Sequence, residues 1–233
     1  MGGAFAEKCR EICLAYGLLP TGHVANDARA YLEVAKPQEL SADLATILND
    51  REFHVAETQP HSLIGKSAPD FSLVDSSGNS RTLAELRNGK PLILVFYLGY
   101  GCSHCVAQLF GLDKDLRYFR ELGCDVVAVS FDTPETTRQK YKEYGEFHFP
   151  VLSDPENKVA QKYGVFTPAK GDIEESLDHG TFVIDAAGKI IWANQGSQPF
   201  LDNKSLLRLV EATRKNPSDN LAERPGKQTG ATN

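Results

Sequence analysis

The chain has 233 residues, and its 25 Lys and Arg against 31 Asp and Glu give a formal net charge of −6. At about 150 residues per domain, this length allows one domain with additions or two small domains. A chain of this length can bury a core, so it can fold without a disulfide or metal scaffold. The acidic balance argues against nucleic acid or an anionic membrane as partner. The longest apolar run, residues 91–98, is far shorter than the roughly 20 residues that span a bilayer.

Residues 1–62 have a helical pattern and are predicted to form an N-terminal helical extension. Apolar residues recur there at helical spacing in front of a glycine: Phe5, Cys9, Ile12 and Tyr16, then Gly17. Further helices are predicted over residues 26–35, with Asn26 as the N-cap, and from Ser41 onward. Residues 59–62 have the composition of a linker.

Residues 63–213 alternate strand and helix patterns, which predicts one α/β domain with a mixed sheet. Residues 92–97 and 126–131 are apolar runs typical of strands covered on both faces. Between them, apolar residues recur along one face of a helix: Cys105, Leu109, Leu112, Leu116 and Phe119. This order of elements places a strand-to-helix junction in front of Cys105.

The rest of this domain carries clear start and turn signals. Thr133-Pro134 and Asp154-Pro155 are each predicted to cap and open a helix, the second ending at Gly164. Residues 182–193 have the pattern of a hairpin around a turn that ends in a glycine. Asp202 or Asn203 is predicted to cap a last helix.

The two ends of the chain give further expectations. The first ten residues have no basic stretch followed by an apolar one, so no signal peptide is expected and the predicted location is the cytoplasm. Residues 214–233 contain no aromatic residue and one large aliphatic residue, Leu221. Such a segment cannot bury enough apolar surface to offset its ordering, so it is predicted to be a disordered tail.

The chemistry of the chain is predicted to lie in Cys102-Ser103-His104-Cys105, at the junction between a buried strand and an amphipathic helix. The spacing places both thiols at the first turn of the helix, where unpaired N–H groups stabilise a thiolate. A thiolate there has a lowered pKa, and a protonated His104 would lower it further. A CxxC pair at such a junction indicates reversible thiol–disulfide exchange.

Two other interpretations of this pair remain open. A zinc site would need a second pair of ligands, and Cys9 and Cys13 are the cysteines that could supply it, without the usual surrounding knuckle. An inert buried pair is disfavoured because Gly99 and Gly101 suggest a tight, exposed approach loop. We therefore expect no metal and no other cofactor. Cys9, Cys13 and Cys124 are interpreted as structural, although one of them could act as a distant resolving thiol.

Many short motifs, matching in order and spacing, resemble the alkyl hydroperoxide reductase/thiol-specific antioxidant (AhpC/TSA) family, the peroxiredoxins and their thioredoxin-fold relatives. They lie at residues 64–73, 75–78, 92–97, 126–134, 149–155, 163–165 and 180–190. The resemblance covers roughly residues 63–211 and is close in texture to the monomeric peroxiredoxin Q type. It implies a thioredoxin-like fold of the peroxiredoxin type, with a mixed sheet flanked by helices.

The chain departs from this family at the groups that bind the peroxide. The family pattern Pro-x-x-x-Thr/Ser-x-x-Cys would make Cys105 the attacking thiol, with Cys102 at the Thr position and Leu98 at the Pro position. His179 stands nearest to the place of the family's active-site Arg. In that family, the Thr hydroxyl and the Arg guanidinium polarise the peroxide. Because this chain has Cys102 and His179 at those places, fast peroxidase activity is not expected.

The pair also resembles the thioredoxin branch of the superfamily, which implies that Cys102 attacks and Cys105 resolves. Gly180 occupies the place of the branch's cis-Pro, and a glycine lets a substrate backbone approach closely. His104 beside the second cysteine resembles the arrangement of thiol oxidases. Ser103, His104, His179 and Gly180 are therefore predicted to modulate the pair.

These observations leave three functional hypotheses. The favoured one is a peroxiredoxin-like enzyme that cycles Cys102 and Cys105 to reduce a disulfide or hydroperoxide, with thioredoxin or a small thiol as reductant. The second is a thioredoxin-dependent peroxidase in which Cys105 attacks hydroperoxide. The third is a redox sensor or metal-holding module without turnover. A monomer or homodimer is expected in each case.

Overall fold

A computed structural model describes residues 2–171 and 173–215, so all but the first two residues of the predicted tail at 214–233 lie outside the described residues. Within these residues, seven strands form one mixed sheet and two form a small hairpin. The strands are β1 Ser72–Asp75, β2 Ser80–Thr82, β3 Leu92–Phe96, β4 Asp125–Ser130, β5 Val151–Ser153, β6 Phe166–Thr167, β7 Ser176–Leu177, β8 His179–Ile184 and β9 Ile190–Gly196.

Helices precede the sheet in the chain and connect its strands. They are α1 Gly2–Ala15, α2 Val24–Ala35, α3 Leu44–Asn49, α4 Leu83–Arg87, α5 Ser103–Glu121, α6 Pro134–Tyr144, α7 Lys158–Lys162 and α8 Asn203–Lys215. Within the described residues, no helix combines the length and apolar character needed to cross a membrane.

The large sheet has the strand order β2-β1-β5-β4-β3-β8-β9. Strand β3 runs parallel to β4 and β4 runs parallel to β5, whereas β8 pairs with β3 and β9 antiparallel. Every side chain of β3 is buried, as the continuous apolar run predicts. This confirms the predicted mixed α/β sheet and places the end of its central strand directly in front of α5.

The predicted helix starts are confirmed at two caps and wrong at three. Thr133 accepts a hydrogen bond from Thr136 N–H, with Pro134 at the first helical position, and Asp202 accepts one from Ser205 N–H. Helix α2 begins before Asn26, at Val24, because Asp27 in its first turn accepts N–H bonds from the preceding turn.

The other two starts lie later than predicted because a neighbouring carboxylate takes the capping role. Helix α3 begins after Asp43, whose side chain accepts from Thr46 N–H, rather than at Ser41. Helix α7 begins at Lys158, since Asp154 accepts N–H bonds from the first turn across an intervening turn. Helix α4 and the β6–β7 hairpin have no counterpart in the sequence prediction.

The helices of residues 2–62 pack against the sheet domain and share its core. Buried side chains from α1, α2 and α3 belong to the same apolar cluster as β3 and α5. The predicted linker at 59–62 is fastened to the sheet, because Gln59 N–H donates to the Ala193 carbonyl of β9 at 2.9 Å. The N-terminal helices therefore cover part of the surface around α5.

Candidate active site

Cys102 and Cys105 lie at the start of α5 and form a disulfide, with their Cα atoms 5.4 Å apart. Cys102 is the N-cap, with extended backbone, and Cys105 lies in the first turn. The unpaired N–H groups and the positive dipole end of α5 point toward this pair. The predicted placement of both thiols at the first turn of the helix is confirmed.

Each sulfur of the pair contacts a buried histidine. The ring nitrogens of His104 lie 3.2 and 3.3 Å from Cys102 Sγ. His179, at the start of β8, places Nε2 2.9 Å from Cys105 Sγ. The two imidazole rings are 5.3 Å apart between centroids, so both sulfurs and both rings form one cluster. The structure thus brings together four of the predicted site residues.

The expectation that the pair is not fully buried is wrong. Cys102 and Cys105 are 1% and 0% exposed, and His104 is 0% exposed. The approach loop is predicted to be exposed at Gly99 and Gly101; Gly101 is exposed, whereas Gly99 is buried. The pair is buried because α1 and α2 lie over the start of α5.

Three contacts fasten this cover. Cys13 Sγ of α1 lies 3.3 Å from Ser103 Oγ, which places the predicted modulator Ser103 between α1 and the pair. The Tyr16 ring packs edge-on against Tyr31 at 5.0 Å, and the Tyr31 ring lies 5.8 Å from His104. Burial is the main cause that raises the pKa of Tyr31, so its phenol stays neutral.

The loop between β3 and α5 is tied to β4 through Asp132. The Asp132 carboxylate accepts hydrogen bonds from Tyr100 N–H at 2.7 Å and from Ser130 Oγ at 3.2 Å. Gly99 has φ 81°, and a Cβ there would lie 2.7 Å from Asp132 Oδ2. Only a glycine satisfies both constraints, which explains the residue that the sequence analysis assigned to a tight loop.

Asp132→Asn is expected to gain stability relative to the wild type as pH rises. Burial raises the pKa of Asp132 above that of the unfolded chain. The favourable contribution of the carboxyl is complete below the unfolded pKa of about 3.9 and is lost as pH rises through the folded pKa. Urea unfolding from pH 4 to 7 should show the difference between the proteins growing with pH. A constant difference would contradict the assignment.

Cys9 of α1 joins the sulfur and imidazole groups of the site. One ligand atom from each of Cys9, Cys102, His104 and Cys105 lies within 4.8 Å of every other, and all four residues are buried. The sequence pattern predicts a structural role for Cys9, as it does for Cys13 and Cys124. The helical spacing of Cys9 places it on the apolar face of α1, but gives no sign that this face covers α5.

Comparison with known proteins identifies the fold and the chemistry. Residues 64–193, more than half of the chain, match the family model described as the AhpC/TSA family. The chain belongs to the AhpC/TSA family. It is therefore a thiol-dependent oxidoreductase of the peroxiredoxin type, as the resemblance implied.

Individual relatives agree with the family assignment. The chain is 33% identical over 131 residues to a putative peroxiredoxin of Mycobacterium tuberculosis, covering 55% of this chain and 82% of that protein. It is 35% identical over 159 residues to peroxiredoxin-2 of Mus musculus, covering 64% and 78%. The crystal structure of peroxidoxin BcpB from Mycobacterium tuberculosis superposes with a TM-score of 0.57 at 26% identity, covering 65% and 98%.

Within this AhpC/TSA fold, Gly180 lies in the middle of the sheet beside the histidines. It pairs with Phe96 of β3 and Gln195 of β9, one residue after His179. A Cβ at this position would overlap the Val165 side chain and approach Phe182 Cε2 at 3.0 Å. The packing of β8 therefore gives a reason for glycine besides the predicted approach of a substrate backbone.

Gly180→Ala is expected to lower the free energy of unfolding by about 1–3 kcal/mol, as overpacking of a filled core does. Urea denaturation monitored by circular dichroism measures this loss. Gly196→Ala in the next strand is the matched control, because a Cβ there meets no atom within 4 Å. Equal stability of the two variants would show that Val165 and Phe182 move aside at no cost.

Proposed function

We propose that this protein reduces a disulfide or a hydroperoxide by cycling Cys102 and Cys105 between dithiol and disulfide. The observation that supports this most directly is the Cys102–Cys105 disulfide at the start of α5, with a histidine against each sulfur. The N-terminus of a helix and a nearby imidazolium both favour a thiolate over a thiol. An activated thiol beside a second thiol is what reversible oxidation requires.

In the proposed first step, the Cys102 thiolate attacks the oxidant. With a hydroperoxide, an S–O bond forms, the O–O bond breaks, and one proton completes the alcohol or water that leaves, so that Cys102 becomes a sulfenic acid. With a disulfide, Cys102 forms a mixed disulfide and one thiol leaves. His104 stabilises the attacking thiolate by donating a hydrogen bond to Cys102 Sγ, from which its ring nitrogens lie 3.2 and 3.3 Å.

In the second step, Cys105 closes the disulfide. His179 takes the proton of the Cys105 thiol, from which its Nε2 lies 2.9 Å, and the Cys105 thiolate displaces water or the second substrate thiol. Thioredoxin or a small thiol then supplies two electrons and two protons to restore the dithiol. A cytoplasmic location, where such reductants keep thiols reduced, completes this proposal.

The second candidate is a peroxidase in which Cys105 attacks the hydroperoxide and Cys102 resolves. The short contact between His179 and Cys105 favours it, because His179 stands near the place of the family's active-site Arg. Against it, Cys105 lies inside the first turn of α5, whereas Cys102 is the N-cap and directly follows the exposed Gly101. The two candidates differ in which sulfur is oxidised first.

A paired assay of the full-length protein tests the proposed function. Reduction of insulin disulfides and of hydrogen peroxide and cumene hydroperoxide is measured side by side with dithiothreitol as electron donor. We expect turnover of disulfide and slower turnover of hydroperoxide, both abolished by prior alkylation of the reduced protein. Failure of both substrates would contradict the proposal. Faster reduction of hydroperoxide than of disulfide would favour the second candidate, the peroxidase.

A further inference from the structure

Three cysteines and one histidine converge on one point beneath α1. The ligand atoms of Cys9, Cys102, His104 and Cys105 lie within 4.8 Å of one another, and none of these residues is accessible to solvent by more than 7%. Three of the groups come from the loop-to-helix junction and the first turn of α5, while Cys9 reaches them from a helix more than ninety residues earlier. Such convergence goes beyond what a dithiol–disulfide cycle needs, since that cycle uses two sulfurs.

The donor set matches the preference of a structural zinc ion. Three thiolates and one imidazole are a known tetrahedral set for Zn²⁺, and soft sulfur ligands select against Mg²⁺ and Ca²⁺. With Zn–S bonds of about 2.3 Å, tetrahedral ligands stand about 3.8 Å apart, within the spread of this cluster. Cys102 and Cys105 must first be reduced, because a disulfide sulfur carries no thiolate charge for the metal.

The surroundings of the cluster stabilise such a centre. Three thiolates with Zn²⁺ leave one negative charge, which the positive dipole end of α5 opposes. His179 Nε2, 2.9 Å from Cys105 Sγ, can donate a hydrogen bond to the bound thiolate. The contact of Cys13 with Ser103 keeps α1 in the register that presents Cys9, one turn earlier, to the other ligands.

We infer that the reduced protein binds one Zn²⁺ through Cys9, Cys102, Cys105 and His104, and that oxidation of the pair releases it. Two thiolates give two electrons to a hydroperoxide, which takes two protons and leaves as alcohol and water, while the new S–S bond removes two ligands from the metal. Cys9 and His104 alone hold zinc weakly. The zinc-bound form and the disulfide form therefore exclude each other. Given the proposed dithiol–disulfide cycle, the site holds zinc when it is reduced and releases zinc when it is oxidised.

Zinc titration of the reduced, metal-free, full-length protein against a chromogenic chelator tests this site. We expect one Zn²⁺ per wild-type chain, an affinity at least about 100-fold weaker in Cys9→Ser, and release of the metal by hydrogen peroxide. Cys13→Ser, on the same helix and still able to bond Ser103, and the distant Cys124→Ser should keep the wild-type affinity. An equal affinity of Cys9→Ser and wild type would overturn the assignment.

Two further measurements separate a lost ligand from a misfolded variant. Co²⁺ in place of zinc should show sulfur-to-metal charge-transfer absorption from three thiolates in the wild type and from two in Cys9→Ser. Cys9→His, which supplies a new ligand, should bind zinc more tightly than Cys9→Ser; equal weakness of both would overturn the proposal. If the protein turns over in excess chelator but binds no zinc in the titration, the metal site alone is refuted. If the protein binds zinc but does not turn over, the redox function alone is refuted.

Discussion

Replacing Cys102 with Ser is expected to lower disulfide and hydroperoxide turnover by roughly 1,000-fold or more, because removal of an attacking nucleophile leaves only binding and residual electrostatics. The loss follows from the position of Cys102 at the N-cap of α5, with both His104 nitrogens within 3.3 Å of Sγ. A serine hydroxyl at the same point is not ionised at neutral pH. Initial rates with dithiothreitol as electron donor measure the effect.

Cys105→Ser is expected to slow turnover at a later step, because dithiothreitol must then reduce the oxidised Cys102 directly. In the absence of an external thiol, Cys102 still attacks the oxidant, and its product persists because the resolving thiol is missing. A single addition of hydrogen peroxide should give one sulfenic acid per chain at Cys102, trapped with dimedone and located by mass spectrometry. Cys102→Ser should give no such adduct at Cys105.

The reverse labelling pattern would decide for the second candidate, with Cys105 as the attacking thiol next to His179. Cys124→Ser is the matched control for both variants, because it also removes a buried thiol. Burial raises the pKa of the Cys124 thiol well above its ordinary value, so this sulfur stays protonated and unreactive. Its turnover should equal that of the wild type.

Local sequence patterns sufficed to predict the placement of the redox pair. The apolar run of β3, the CxxC spacing and the periodicity of α5 act over fewer than thirty consecutive residues, and the structure follows them. His179 was found only through the family resemblance, since the pairing of β3 with β8 joins residues far apart in the chain. Patterns of this kind report which face of an element is apolar, not what covers it.

The wrong helix starts and the unexpected burial of the pair have the same physical origin. Where several capping residues stand near each other, tertiary contacts choose among them, as Asp43 prevails over Ser41 and Asp154 caps α7 from a distance. The burial of Cys102 and the arrival of Cys9 depend on how α1 packs on α5. That packing depends on contacts between residues about ninety positions apart, such as Cys13 with Ser103.

Tyr16→Ala is expected to raise the rate at which a reductant reaches the Cys102–Cys105 disulfide by about 10- to 30-fold. The substitution removes the edge-on pair with Tyr31 at 5.0 Å and the hydrogen bond that the Tyr16 hydroxyl donates to Gln198 at 3.1 Å. Together these contribute about 1.5–2 kcal/mol, and each 1.4 kcal/mol changes the population of an open state about tenfold. Since α1 covers the pair, the reaction rate should follow that population.

The measurement is the rate at which a phosphine reduces the Cys102–Cys105 disulfide in excess chelator. At each time point, maleimide alkylates the thiols that reduction has released, and mass spectrometry counts the labels on each chain. Tyr16→Phe is the matched control: it keeps the ring on Tyr31 and should change the rate far less than Tyr16→Ala. An unchanged rate in Tyr16→Ala, with native circular dichroism, would mean that the reductant reaches the sulfurs by a route that α1 does not cover. An increased rate would mean that the motion exposing the pair also carries Cys9 away from it, so access to the disulfide and loss of the metal ligand would be one event.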